Sequence, residues 1–210
     1  FMVDKVDIFT TVSDHDQKRI YQLYNKKVEV LKNGVDFDTK LIREKKNLIL
    51  FSGSLEFSEN RIAFNEFYEN VYPIIKTKYS DYKIVVTGNK SKIESDVIQM
   101  GVLNYSKYLK LLRKTKICIY PFRKGPGTKI KVIEALCNEI PVLTNQYGFQ
   151  GINIKNKNRL IFKNKLELKR KLNLILSNKK KTNFNLIFQE AKKKYNIKVI
   201  SNDFFNKLQN

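Results

Sequence analysis

The sequence predicts an α/β fold, a doubly wound parallel sheet of the Rossmann-like kind. Three observations carry this. Short apolar runs of about five residues alternate with longer amphipathic segments, as βαβ units require. Runs such as Leu48-Ile49-Leu50-Phe51 and Ile84-Val85-Val86 are continuously apolar, the pattern of strands buried on both faces. Two of these runs end in glycine turns, at Gly53-Ser54 and Gly88. The 210 residues suffice for one large domain, or one domain plus a fragment.

Taken in order, Val6 to Val12 reads as a strand. Ser13 caps a helix to about Tyr24, with Asp16 at the capping-box position. Lys27 to Leu31 is a second short strand, Asn33-Gly34 a turn, and the polar stretch to Lys46 a linker. A second block opens with the strand Leu48 to Ser52. The next helix covers residues 60–78, with Phe64, Phe67, Tyr68, Val71, Ile74 and Ile75 on one side and Pro73 as a kink. Tyr82 to Thr87 is a buried strand. Asn104 opens a helix that presents Tyr105, Tyr108, Leu109 and Leu112 on one face. Lys116 to Pro121 is a strand, Thr128 to Asn138 a helix, Ile140 to Thr144 a strand, and Arg159 to Phe162 a last short strand. Helices follow over 165–176 and 182–195, the second with a stripe of Phe184, Ile187, Phe188, Ala191 and Tyr195. The tail from Val199 to Leu208 reads as one more helix.

Composition bounds the function. Apolar residues make up 42% and charged residues 29%, a globular balance. No apolar run reaches the roughly 18 residues that a membrane helix needs. Two cysteines, Cys118 and Cys137, exclude a disulfide framework and read as reduced core residues. The single histidine, His15, excludes a His-rich metal site and reads as a surface residue at a helix start. The net charge of +21 attracts polyanions. Only seven of the 41 basic residues are arginine, and the lysines are spread along the chain, so no nucleic-acid partner is expected. Contact with an anionic membrane surface is expected as a secondary property. The lysine runs at 179–181 and 192–194 read as solvated faces. No signal peptide precedes the first strand, which follows Phe1-Met2 almost at once, so an N-terminal portion is expected to lie outside this sequence.

A doubly wound sheet binds ligands beyond the carboxyl ends of its strands. The richest such segment runs from Pro121 to Ala135. There a strand ends, a glycine-containing loop follows, and a helix opens near Thr128. Free backbone N–H groups and the positive end of the helix dipole make this an anion site. Gly125 and Gly127 admit a ligand close to the backbone. Lys129 and Lys131 add positive charge. Glu134, about one and a half turns into the helix, offers a carboxylate to a diol such as a ribose. The pattern is neither a Walker loop nor a dinucleotide fingerprint. A purely structural reading competes: the glycines turn the chain and Glu134 is a solvated helix residue. Against it, Ile133, Ala135, Leu136 and Cys137 flank Glu134, and an acid in so apolar a helix needs a partner.

These motifs together resemble the C-terminal, donor-binding half of a retaining GT-B-fold glycosyltransferase of the glycosyl transferases group 1 family. Asn47 to Asn60 is similar to the strand and glycine turn that open the donor domain, and Ile84 to Gly88 to its second strand. Gly125 to Ala135 resembles the motif G-x-G-T-R/K-x-K-x-x-E-A, and Ile140 to Thr144 the P-V-V/L-x-T strand behind it. Tyr147 to Ile152 is similar to the G-x-x-G-I/L loop. Thr11 to Asp14 and Leu31 to Asp36 look like the end of the acceptor domain and the link between domains.

The resemblance implies three segments: residues 1–46 as the end of the acceptor-side domain plus linker, 47–195 as the donor domain, and 196–210 as a tail or helix. It implies that Glu134 binds the ribose hydroxyls and that Lys131, Thr128 and the Gly127 backbone lie at the diphosphate or donor sugar. Gly53 and Ser54 let the first turn approach the phosphates, and the backbone near Val102 flanks the base. The implied donor is a nucleoside-diphosphate sugar, with no metal and no other cofactor, and the implied acceptor is a glycan or lipid-linked glycan. Lys131 and Glu134 are the candidate catalytic residues. The implied place is cytoplasmic, at polysaccharide or glycolipid assembly, with the inner membrane face as a contact. The isolated chain is expected to be inactive without its N-terminal half. Two positions depart from the family pattern. Pro126 stands where many relatives carry an acid, and Ser54-Leu55 follow Gly53 where many carry an arginine and soon after a lysine. The alternatives are a non-catalytic nucleotide-binding scaffold of the same fold and a basic polyanion-binding protein. Tyr147 and Phe149 either line the cleft or pack the loop.

Overall fold

The computed structural model describes residues 8–37, 45–89, 96–123, 127–177 and 183–208. Its centre is β3 (Leu48–Ser52), buried from Ile49 onward. β3 pairs in parallel with β4 (Lys83–Thr87) on one side and β6 (Ile117–Tyr120) on the other. β5 (Ile98–Gln99) and β7 (Val142–Thr144) flank them, giving an all-parallel sheet in the order β5-β4-β3-β6-β7. The apolar runs anticipated from sequence thus become the central strands. The edge strand β5 was not anticipated, because two residues carry no periodicity to read.

The chain winds both ways from the centre. β3 leads through α2 (Ser58–Asn70) and α3 (Tyr72–Lys78) to β4, while β6 leads through α5 (Ile130–Cys137) to β7 on the other side. Right-handed crossovers in opposite directions put their helices on opposite faces. The switch point therefore falls between β3 and β6, at their carboxyl ends.

Several expected elements are corrected by the structure. The helix expected over 60–78 is two helices, broken at Val71, because Pro73 lacks an N–H and fits only the first turn of a new helix. The expected strand Arg159 to Phe162 is a 3-10 turn at Lys157–Arg159 followed by a single bridge from Ile161 to Thr144. The bridge is held by Thr144 N–H to Leu160 O at 3.0 Å and Phe162 N–H to Thr144 O at 2.8 Å. α5 begins at Ile130 and not at Thr128, so Thr128 belongs to the loop. α4 (Tyr105–Lys114) is capped by Asn104, whose side chain accepts from Lys107 N–H. α6 (Lys165–Leu176) matches its expected bounds, and α7 (Asn185–Tyr195) buries its anticipated stripe. The expected start of α7 at Thr182 lies outside the described residues, as does the 179–181 lysine run. The 192–194 run is more than a solvated face: Lys192 pairs with Glu139 at 2.5 Å, tying α7 to α5, and Lys194 pairs with Glu190.

The N-terminal segment forms its own two-stranded parallel sheet. β1 (Thr10–Thr11) pairs with β2 (Glu29–Val30) around α1 (Asp14–Tyr24). Strand β1 is shorter than the run Val6 to Val12 suggested, and Val6 lies outside the described residues. Ser13 caps α1 as expected, accepting from Asp16 N–H and donating to the Asp16 carboxylate at 2.7 Å. The final helix α8 (Ile197–Leu208) starts two residues before Val199 and reaches back to β2 through Lys207 and Glu29.

Phe51 anchors the core. It is fully buried, with ring centroids of Phe64 and Tyr120 at 5.3 and 5.6 Å. Phe51→Ala is expected to cost about 3–5 kcal/mol, read as a lower urea midpoint. A loss under about 1 kcal/mol would show that the β3 core is not packed as described.

Candidate functional site

Three glycine turns meet at the carboxyl ends of β3, β4 and β5. Gly53 N–H donates to Thr87 O at 3.0 Å, and Gly88 N–H to Gly101 O at 2.9 Å. Gly88 has a φ of +114°, and a Cβ there would fall 2.6 Å from the Gly53 carbonyl and the Ser54 nitrogen. Only glycine lets the two turns lie this close. Ser54 is half-buried within this contact. Val102 follows Gly101 and is 73% exposed at the same edge.

Into this edge reaches Lys131, from the first turn of α5. Its Nζ donates to Ser52 O at 2.6 Å and to Asn60 Oδ1 at 2.7 Å. The rings of Tyr120, Phe122 and Phe51 lie at 5.2, 5.6 and 5.7 Å from the ammonium, a cation–π setting. Gly53 makes room for it: at φ +139°, a Cβ there would stand 2.5 Å from Nζ. Burial lowers the Lys131 pKa to about 8, and neighbouring Lys129 pushes the same way; Cys118 and Glu134 oppose them. The group is still mostly protonated at neutral pH. Lys129 caps α5, with its own ammonium 5.6 Å from the Phe122 ring.

Glu134 lies three residues beyond Lys131 and so shares its helix face. Its Oε2 accepts from Tyr108 Oη at 3.3 Å. Burial raises the Glu134 pKa, while Tyr108, Tyr105 and Lys131 hold the rise back. Tyr105, chiefly by burial and then by the Glu134 charge, is pushed up to about 12, and Tyr108 goes higher for the same reasons. Both phenols therefore stay protonated and can donate to the carboxylate.

The structure thus brings Gly53, Ser54, Lys131 and Glu134 to one edge. Val102 is linked to them through the Gly88–Gly101 hydrogen bond. Gly127 has a φ of +71° and open space around its Cα. Gly125 and Pro126 lie outside the described residues. Thr128 turns its hydroxyl under the neighbouring loop: a Cβ at Gly151 would fall 2.5 Å from Thr128 Oγ1 and 3.2 Å from Ser13 Cβ. Among the described residues this buried hydroxyl has no hydrogen-bond partner. Phe149 packs inside, while Tyr147 joins Asn145, Arg123 and Phe162 around a cavity of about 340 Å³. His15 is exposed beside Asp16. Both cysteines are buried, with thiols pushed up to about 12 by burial. Among the described residues no cluster of three or more His, Cys, Asp or Glu could hold a metal. Among them too, no helix is long and apolar enough to cross a membrane.

Sequence reasoning missed Asn60, read as a helix start, and Tyr108, read as core. The usable signals were an amide six residues after Ser54 and tyrosines at i and i+3 on a helix near an acid.

A fixed ammonium at a glycine turn beside a helix N-terminus suits a diphosphate, and a carboxylate flanked by phenols suits a diol. The family model for glycosyl transferases group 1 matches residues 46–178. The chain belongs to the glycosyl transferases group 1 family. Among solved structures, S. aureus TarM matches with a TM-score of 0.71 at 16% identity, covering 98% of this chain and 44% of TarM. Sucrose-phosphate synthase of Thermosynechococcus elongatus matches with a TM-score of 0.70 at 12% identity, over 97% of this chain and 58% of that one. Anabaena HepE, in complex with UDP and glucose, matches with a TM-score of 0.70 at 12% identity, over 97% and 63%. These likenesses establish the fold, that of GT-B glycosyltransferases. The chain spans less than two thirds of each of these structures. No curated protein matches the sequence.

Lys131 gives the fold a pH signature. Its pKa of about 8 lies below the ordinary lysine value of 10.5. Below about pH 8 both states hold the proton and the group adds no slope. Between about 8 and 10.5 the unfolded chain keeps a proton that the folded site has shed, so this group makes stability rise with pH. Lys131→Met removes that contribution. Urea unfolding from about pH 7 to 10 is expected to show a more positive slope in the parent than in the variant. Parallel curves would refute a desolvated ammonium at this place.

Proposed function

We propose that this chain supplies the nucleotide-sugar site of a glycosyltransferase acting with retention on a glycan or lipid-linked acceptor. The observation that carries the reading is the Lys131 ammonium. It is fixed between the Gly53 turn and the α5 N-terminus, with Glu134 on the same helix face. The TarM and HepE complexes named above both contain UDP, which supports a nucleoside-diphosphate sugar as donor.

In this reading Glu134 accepts from the ribose hydroxyls, with Tyr108 and Tyr105 orienting its carboxylate. Lys131 meets the diphosphate and stabilises the negative charge that grows on it as the sugar–oxygen bond breaks. Gly127 lets the diphosphate or donor sugar approach the backbone, and Lys129 adds charge at the helix start. Residues 1–46 close the acceptor-side domain, 47–195 form the donor domain and 196–210 the tail. The net charge of +21 supports a place at an anionic membrane face on the cytoplasmic side.

Calorimetry with UDP, GDP and ADP is expected to show saturable one-site binding of one nucleotide. Glu134→Ala should weaken it about 10- to 100-fold, the range for a lost charged hydrogen-bond acceptor. Binding unchanged in Glu134→Ala would sink the ribose assignment, and no binding to a protein that includes the acceptor-side domain would sink the donor-site reading. The isolated chain is expected to show no turnover on a soluble acceptor, because the acceptor side of the cleft belongs to another domain. Measurable transfer would overturn that division of labour.

A further inference from the structure

Asn60 sits in the first turn of α2 and bridges two parts of the site. Its Oδ1 accepts from Lys131 Nζ at 2.7 Å, and its Nδ2 donates to Ser54 O at 2.9 Å. It has no capping duty, since α2 is capped at Phe57 without a side-chain bond. The amide is therefore spent entirely on the turn and the ammonium.

The chemistry of that choice matters. An ammonium carries three donors. Here two go to neutral acceptors, Ser52 O and Asn60 Oδ1, and one remains. A carboxylate at position 60 would hold the ammonium equally well but would cancel its charge. An amide fixes the position and leaves the charge for an incoming anion. The same amide pins Ser54 O, so the turn backbone and the cation are set in one geometry before any ligand arrives. A long, flexible lysine is otherwise costly to immobilise on binding.

We infer that Asn60 is a positioning residue. It holds the Lys131 ammonium, uncancelled, against the diphosphate of a bound nucleoside diphosphate, and locks the Gly53–Ser54 turn beside it. This rests on the donor-site reading given above.

A double-mutant cycle tests it, with Asn60→Ala, Lys131→Ala and the pair, read by calorimetry with whichever of UDP, GDP and ADP the parent binds. Asn60→Ala is expected to weaken binding roughly tenfold, within the range for coupled neighbours. In the Lys131→Ala background the same change should do almost nothing, because the group it positions is gone. Binding of the matching nucleoside, which lacks phosphates, should not change in Asn60→Ala. Asn60→Leu, nearly the same size, repeats the measurement if the alanine variant does not fold. Unchanged diphosphate affinity in the Asn60 variants, or an equal loss with and without Lys131, would overturn the positioning role while leaving the donor site intact. Unchanged affinity in Lys131→Ala, or no nucleotide binding by the parent, would overturn the donor-site reading and this inference with it.

Discussion

A lysine ammonium at the carboxyl end of β3 organises this molecule's functional edge. It is the point where the two windings of the sheet meet. Ser52 O ends the central strand, Asn60 comes from one crossover and Lys131 from the other. Removing an ammonium from water is expensive unless its donors are satisfied. Here two backbone-anchored acceptors and three aromatic faces do most of that work, and the lowered pKa measures what they leave undone. The surroundings of this group are apolar by necessity. Tyr120 is fully buried and exchanges its only hydroxyl contact with Ser52 Oγ, at 2.6 Å.

The glycine contacts follow from the same constraint. If the ammonium is to sit against the end of β3, residue 53 cannot carry a Cβ. If the β4 turn is to close over the β3 turn, residue 88 cannot either. The sequence shows these two residues as ordinary turn glycines. Their real demand is close approach, which no local pattern reveals, because the colliding atoms come from Lys131, Asn60 and another turn.

What was legible in the sequence divides along this line. Strands β3 and β4 were readable because both faces are buried, leaving no polar residue to interrupt the run. The α5 motif was readable because glycines, lysines and an acid at fixed spacing have few uses in so apolar a helix. Pro73 announced a disturbance in its helix, though not that the chain would restart. The Arg159 to Phe162 segment misled because Leu160 and Ile161 are apolar for packing, while only one bridge to Thr144 forms. Asn60 and Tyr108 stayed hidden because a bridging amide and a phenol under a carboxylate look, in one dimension, like a helix start and a core aromatic. Their roles exist only between α2 and α5, and between α4 and α5.

The departure from the family pattern at Ser54-Leu55 now has a physical sense. The resemblance implies cations just after the first glycine. In this chain Leu55 is 6% exposed and belongs to the core, and Ser54 directs its hydroxyl to Glu56. No charge can stand on that turn without unpacking it. Yet a diphosphate beside two glycine turns needs a counter-charge, since backbone N–H groups alone offer only partial charges. Lys131 reaches the vacant place from the opposite crossover, and the missing Cβ of Gly53 is what allows it to arrive. The charge has moved from the turn to the helix, and Asn60 is the consequence: a lysine that comes from a distance needs something to hold it still.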